Sequence, residues 1–194
     1  MPAASKALAG LICAILLAFG LCASAVRADT LGVQHRDLDA GRCKAQFSVA
    51  HVFVEHVTGS LPVVSGSAEL AEGSSTLASV SAVLDATRLK TGDDDRDGVL
   101  ATPDWFDTKR YPTWTFVSTF VTPGSNGRFG VEGLLTLHGV AQPVHLDVVT
   151  SGDAAHPVYQ ATVHIDRHAY GMKVTRLDPA VGNDVTVTLL VHLK

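Results

Sequence analysis

Trp105-Phe106-Asp107-Thr108-Lys109-Arg110-Tyr111-Pro112-Thr113-Trp114-Thr115-Phe116-Val117-Ser118-Thr119-Phe120 holds half of the chain's aromatic residues. From Thr113 onward it alternates. Trp114, Phe116, Ser118 and Phe120 fall on one strand face, and Thr113, Thr115, Val117 and Thr119 on the other. β-branched and aromatic residues on both faces suit a strand. Pro112 sets the corner before it, because proline is not tolerated in a helix interior. An aromatic wall therefore follows a tight bend, with Trp105 and Phe106 approaching from the other side. Such a concentration implies a large apolar space, either filled by side chains or open to a ligand.

Outward from this wall, the same alternation recurs between turn residues. Cys43, Ala45, Phe47, Val49 and His51 share one face. An extended region runs from Val52 to Leu70, with Gly59, Pro62 and Gly66 as bends or bulges. Ala78 to Thr87 alternates again. Pro123-Gly124-Ser125-Asn126-Gly127 marks a hairpin into Arg128–Leu137. The turn His138 to Pro143 leads to Val144–Thr150, and Val158–Arg167 and Val185–His192 complete the set. Eight short strands in one domain imply a barrel or a sandwich. One helix is expected, Asp94–Ala101, whose acidic first turn suits a helix N-terminus and which is placed to cover an open end.

At the N-terminus, Lys6 precedes an uncharged apolar run from Ala7 to Ala23, and Ala23-Ser24-Ala25 has the form of a cleavage site. This is the layout of a secretory signal peptide over residues 1–25, and the run is short for a membrane span. Leu21 precedes Cys22, where lipidation requires a small residue. Removing residues 1–25 from the 194-residue chain leaves one 169-residue domain over residues 26–194, long enough for a single core. The net charge of −4 becomes −5 when Lys6 leaves, which argues against a nucleic-acid partner. Cys43 alone remains of three cysteines, so no internal disulfide is expected. The expected location is periplasmic or secreted.

The motifs narrow the reading further. Phe47-Ser48-Val49-Ala50-His51; Thr91-Gly92 with Arg96-Asp97-Gly98-Val99-Leu100; Phe106-Asp107 with Tyr111-Pro112 through Phe116; Gly133-Leu134-Leu135-Thr136-Leu137-His138-Gly139-Val140; Ile165-Asp166-Arg167-His168-Ala169-Tyr170-Gly171-Met172; and Val181-Gly182-Asn183-Asp184-Val185 occur in this order. Together they resemble the YceI-like family of exported lipocalin-like, polyisoprenoid-binding proteins, over nearly all of residues 26–194. Departures from the family pattern fall at Leu61, Trp105 and Leu134 and are expected to alter ligand shape more than fold. The resemblance implies an eight-stranded antiparallel lipocalin-like barrel with a short helical insertion and an apolar tunnel. It implies a binding or carrier protein for a polyisoprenoid, an isoprenoid quinone or a related amphiphile. No enzyme activity, cofactor or metal is expected; transient membrane contact and a homodimer are.

The ligand-contacting candidates are Phe47, Val49, His51, Leu84, Phe106, Tyr111, Trp114, Phe116, Phe120, Leu135, Leu137, Arg167, Tyr170 and Met172. Each competes with an ordinary structural role: the apolar ones as core, and His51 and Arg167 as partners of buried backbone groups. A filled barrel with a structural or stress-protective role is the principal alternative, and a metal-dependent enzyme a minor one. Asp93, Asp95, Asp97, Gly98 and Asp104 match the spacing of a calcium loop. Asp at the last position and Pro103 before it favour an acidic helix start instead. The nine histidines are dispersed, with no H-x-x-x-H pair on the expected helix. No G-x-S-x-G elbow is present.

Overall fold

The computed structural model describes residues 32–53, 55–172 and 180–194. The expected signal peptide, residues 1–25, lies outside them. Among the described residues ten strands form one antiparallel sheet: β1 (Val33–Asp37), β2 (Lys44–His51), β3 (Glu55–Leu61), β4 (Val63–Ala71), β5 (Leu77–Asp85), β6 (Thr113–Thr122), β7 (Arg128–Leu137), β8 (Val140–Gly152), β9 (Pro157–Asp166) and β10 (Val181–His192). Their spatial order is β1-β4-β5-β6-β7-β8-β9-β10-β2-β3.

The all-β antiparallel expectation holds, but eight strands become ten. The Val52–Leu70 region contributes two, separated at Pro62, which has no N–H to give to a ladder. β3 pairs with β2, whereas β4 pairs with β5 and β1. β1 itself was not anticipated, because Val-Gln-His-Arg-Asp is mostly exposed and shows no apolar alternation. β8 also begins earlier than expected. His138 and Gly139 both take positive φ, 52° and 73°, so the turn closes in two residues and Val140 already pairs with Leu137. Pro143 is tolerated because that part of β8 is paired with β7 alone; pairing with β9 starts at Asp147.

The sheet is curled. β1 and β10 are far apart in strand order, yet Leu38 bridges Leu193. Asp39 N–H donates to His192 O at 2.8 Å, and Lys194 N–H donates to Asp37 O at 2.9 Å. A second tie joins β3 to the segment after β5, where Ser60 and Lys90 exchange backbone hydrogen bonds of 2.8 and 2.9 Å. The result is a barrel-like wall. Its inner face carries the alternating apolar sets, such as Tyr159, Ala161, Val163 and Ile165 of β9.

Helix α1 (Asp94–Leu100) occupies the expected place within a residue. The Asp93 side chain caps it by accepting from Arg96 N–H at 3.0 Å, and three acidic residues in its first turn complement the helix dipole. Asp97 Oδ1 accepts from Thr91 N–H at 2.8 Å and from Thr91 Oγ1 at 2.6 Å. These carboxylates thus serve the helix start and the strap before it. Among the described residues no group of three His, Cys, Asp or Glu side chains converges as a cation site.

β6 departs from simple alternation. Ser118 faces Gly133, but Phe120 faces Glu132, so the register shifts between them. One extra residue in a strand reverses the faces beyond it. Trp114 and Phe116 point inward at 4% and 8% exposure, whereas Phe120 is turned out at 60%. Val121 takes its place against the core. Phe120→Thr should therefore change stability by no more than about 0.5 kcal/mol. Phe116→Ala should cost about 3–5 kcal/mol. Denaturant titration of both variants checks the bulge, and a large loss for Phe120→Thr would contradict it.

Candidate functional site: an apolar interior in two cavities

Two cavities lie inside the wall. One, of ≈ 80 Å³, is lined by side chains from β4 to β10, among them Leu84, Trp114, Phe116, Leu135, Leu146, Val148, Tyr159 and Val187. The other, of ≈ 120 Å³, lies at the α1 end and is lined by Phe47, Val49, His51, Val57, Arg96, Val99, Leu100, Trp105, Phe106, Trp114, Ile165, Arg167, Met172, Val181, Val185 and Val187. Trp114 and Val187 belong to both walls and stand where the cavities meet.

Aromatic rings build the α1 end. Phe106 follows α1 in sequence and reaches between β2 and β6. Its ring lies 6.5 Å from Phe47, edge to face, and 5.0 Å from Trp114. Trp105 packs beside it and receives the Arg167 guanidinium 5.2 Å above its ring. Gly133 admits Phe116: a Cβ at that position would come within 2.5 Å of the Phe116 ring and 2.6 Å of Val117 O.

Polar groups occur at both ends. Arg167 is buried, at 2% exposure, and donates Nε–H to Gly182 O at 3.0 Å. It also donates from Nη2 to Val181 O and Asn183 Oδ1, each at 3.2 Å. It thereby serves the irregular start of β10, where the pairing with β2 shifts register. Arg96 donates Nε–H to Thr91 Oγ1 at 2.8 Å and Nη2–H to Thr91 O at 3.0 Å. His51 Nδ1 accepts from Phe53 N–H at 3.2 Å. Far from these, Tyr159 packs edge to face with Phe129 and donates its hydroxyl to Ser75 O at 2.9 Å.

Of the sequence candidates, Phe47, Val49, His51, Phe106, Trp114, Arg167 and Met172 line the α1-end cavity, and Leu84, Trp114, Phe116 and Leu135 line the other. Four do not reach either. Phe120 is outside the wall, for the bulge reason given above. Tyr111 packs on the tight turn, its ring 5.3 Å from His138 and under the Arg110 guanidinium. Leu137 is fully buried but away from both cavities. Tyr170 is likewise buried apart from them, on a short 3-10 turn, with its carbonyl accepting from His138 Nδ1–H at 2.9 Å.

Other lining residues escaped notice. Tyr159 was in phase with Ala161 and Val163, and that period could have found it. Arg96, Val99 and Leu100 share one helical face at i, i+3 and i+4, so that spacing marks the face α1 turns to the cavity. The exposed histidines serve the outer surface: His35 and His145 hydrogen-bond Glu69 and Glu132 at 2.7 and 2.6 Å, which raises both imidazole pKa values.

An antiparallel sheet rolled around an apolar interior, with a short helix at one end, defines a recognised class of single-domain all-β protein. A model of the YceI-like domain matches residues 37–193, and the chain belongs to that family. A UPF0312 protein of Vibrio campbellii is 32% identical over 148 residues, 76% of this chain and 74% of that one. Among solved structures, Burkholderia cenocepacia BcnA superposes with a TM-score of 0.69 at 22% identity, covering 81% of this chain and 99% of its own. A polyisoprenoid binding domain from Saccharophagus degradans gives 0.64 at 18% identity, covering 84% and 99%. The two structural likenesses concern the fold.

The buried phenols set an alkaline limit. Burial pushes Tyr159 and Tyr170 up to about 12 from the ordinary value of 10.0. Between those values the folded chain holds protons that the unfolded chain has lost. Stability from this source is therefore complete below about pH 10 and declines as pH rises toward 12. Denaturation midpoints measured across that window should fall steeply, and the Tyr159→Phe/Tyr170→Phe double variant should flatten the decline.

Proposed function

We propose that the protein is a binding and carrier protein for a long apolar ligand: a polyisoprenoid, an isoprenoid quinone or a related long-chain amphiphile. The observation that carries this reading is the pair of apolar cavities meeting at Trp114 and Val187 inside one curled sheet. The Saccharophagus degradans domain of the same fold is a polyisoprenoid binding domain, which supports the same reading here. Binding, not catalysis, is the role such a lining suits. Each ligand methylene moved from water into it contributes about 0.8 kcal/mol, before ordering costs. Extra apolar groups select only weakly, so tail length is poorly discriminated.

His51, Arg96 and Arg167 all lie at the α1 end, so the polar head of an amphiphile sits there and the tail runs toward Val148 and Tyr159. A continuous tail has to part Trp114 from Val187. That partition favours a second reading, a filled barrel with a structural or stress-protective role, since an apolar cavity of about 150 Å³ holds a single benzene. The Ala7–Ala23 run and the Ala23-Ser24-Ala25 site support export to the periplasm or beyond. Loading then takes place through transient contact with a membrane, by a monomer or a homodimer.

Native mass spectrometry of protein from the exported fraction separates the two readings. A lipid adduct is expected, and whatever fraction of Phe116→Asp folds should lack it, because a carboxylate in the lining is strongly disfavoured. Lipid-free wild-type protein that no prenyl lipid stabilises against heat would end the carrier reading. The same sample should begin at Val26 by N-terminal sequencing; recovery of intact residues 1–25 would exclude cleavage.

A further inference from the structure

Most polar groups of the interior are engaged. Tyr159 donates to Ser75 O, and Arg167 to the carbonyls of Gly182 and Val181. Trp114 differs. Its side chain is 4% exposed and forms part of both cavity walls, yet its Nε1–H meets no acceptor. Its cross-strand partner is Leu84, and its ring neighbour is Phe106. Neither side chain carries an oxygen. Tyr170 also has an unpaired hydroxyl, but it lines neither cavity. Among the described residues, Trp114 thus places an orphaned donor in the wall that both cavities share.

Buried indoles normally find an acceptor, because a desolvated N–H without one is costly. A water molecule is a poor candidate for the role. It needs about two to four polar partners, and the wall on the Leu84 and Phe116 side of Trp114 presents hydrocarbon. An organic oxygen fits better. Its carbon side is compatible with Leu84 and Phe116, while a lone pair takes the indole hydrogen.

We infer that Trp114 is a specificity-determining residue. Its Nε1–H donates to a carbonyl or ether oxygen of the ligand, lodged where the two cavities meet. This rests on the carrier reading above. The ligand is then an oxygen-bearing isoprenoid with its acceptor partway along the tunnel, flanked by apolar groups on both sides. A plain hydrocarbon of the same shape fills the same space but leaves the donor unpaired.

Two isoprenoid probes of equal length, one a ketone with its carbonyl at mid-chain between two prenyl arms and the other with methylene in place of that carbonyl, isolate that oxygen. Wild-type protein should bind the ketone about three- to tenfold more tightly. Trp114→Phe keeps an aromatic ring in the wall and should abolish the preference, the ketone and the hydrocarbon then binding that variant within about twofold of each other. A second readout needs no variant at position 114. In an indole-¹⁵N spectrum the ketone, but not the hydrocarbon, should move the Nε1–H proton of one tryptophan downfield, with Trp105→Phe assigning the other. Equal binding of both probes by wild-type protein, a preference that survives in Trp114→Phe, or an unmoved Trp114 proton would overturn the assignment while leaving the carrier reading intact. Failure of both probes to bind wild-type protein would end both.

Discussion

The backbone tie between Asp37–Asp39 and the end of β10 is the constraint on which the interior depends. A sheet of ten strands in the order found here has its free edges at β1 and β3. Left open, it would expose its apolar face as well as unpaired N–H and C=O groups along those edges. The Leu38–Leu193 bridge, flanked by the hydrogen bonds of Asp39 and Lys194, draws β1 against β10. The Ser60–Lys90 exchange does the same for β3. Only when the sheet is rolled do Val63 of β4, Phe116 of β6 and Val163 of β9 face a common space.

That space is not evenly packed. Phe47, Phe106 and Trp114 make a contiguous aromatic group toward α1, while small and branched residues such as Ala68, Ala82, Val148 and Ala161 surround the other end. Volume is left on both sides of Trp114 because an indole is rigid and flat, and the side chains beyond it are short. The polar groups sort by place. Arg96 and Arg167 hold backbone carbonyls around the α1 end, and Tyr159 holds Ser75 O beyond the opposite one. These fixed hydrogen bonds lie at the two ends of the interior, while the wall between them presents hydrocarbon and one indole nitrogen.

Much of this was legible from residue order. Strand alternation marked Phe47, Val49, Leu84, Trp114, Phe116 and Leu135 as inward-facing, because a buried face requires apolar residues at period two. The acidic run before Val99 marked α1. The two-residue turn at His138 and Gly139 was read too long, since a positive φ at a histidine leaves little trace in sequence. β1 was missed for a related reason: a strand held by its neighbours' backbones, and exposed on both faces, needs no apolar pattern.

The chain's own order of residues thus determined an all-β antiparallel wall, its helical insertion and most of its inner face, because these follow from local periodicity. Tertiary structure alone decided three things. The shift between Ser118 and Phe120 turned Phe120 out, since a bulge is a matter of pairing between β6 and β7. Tyr111 and Tyr170 went to positions away from the cavities through contacts with His138, and Leu137 is buried apart from both cavities. And the division of the interior at Trp114 and Val187 emerged only when β6 and β10 were brought across the rolled sheet, a juxtaposition of residues seventy-three positions apart that no local pattern encodes.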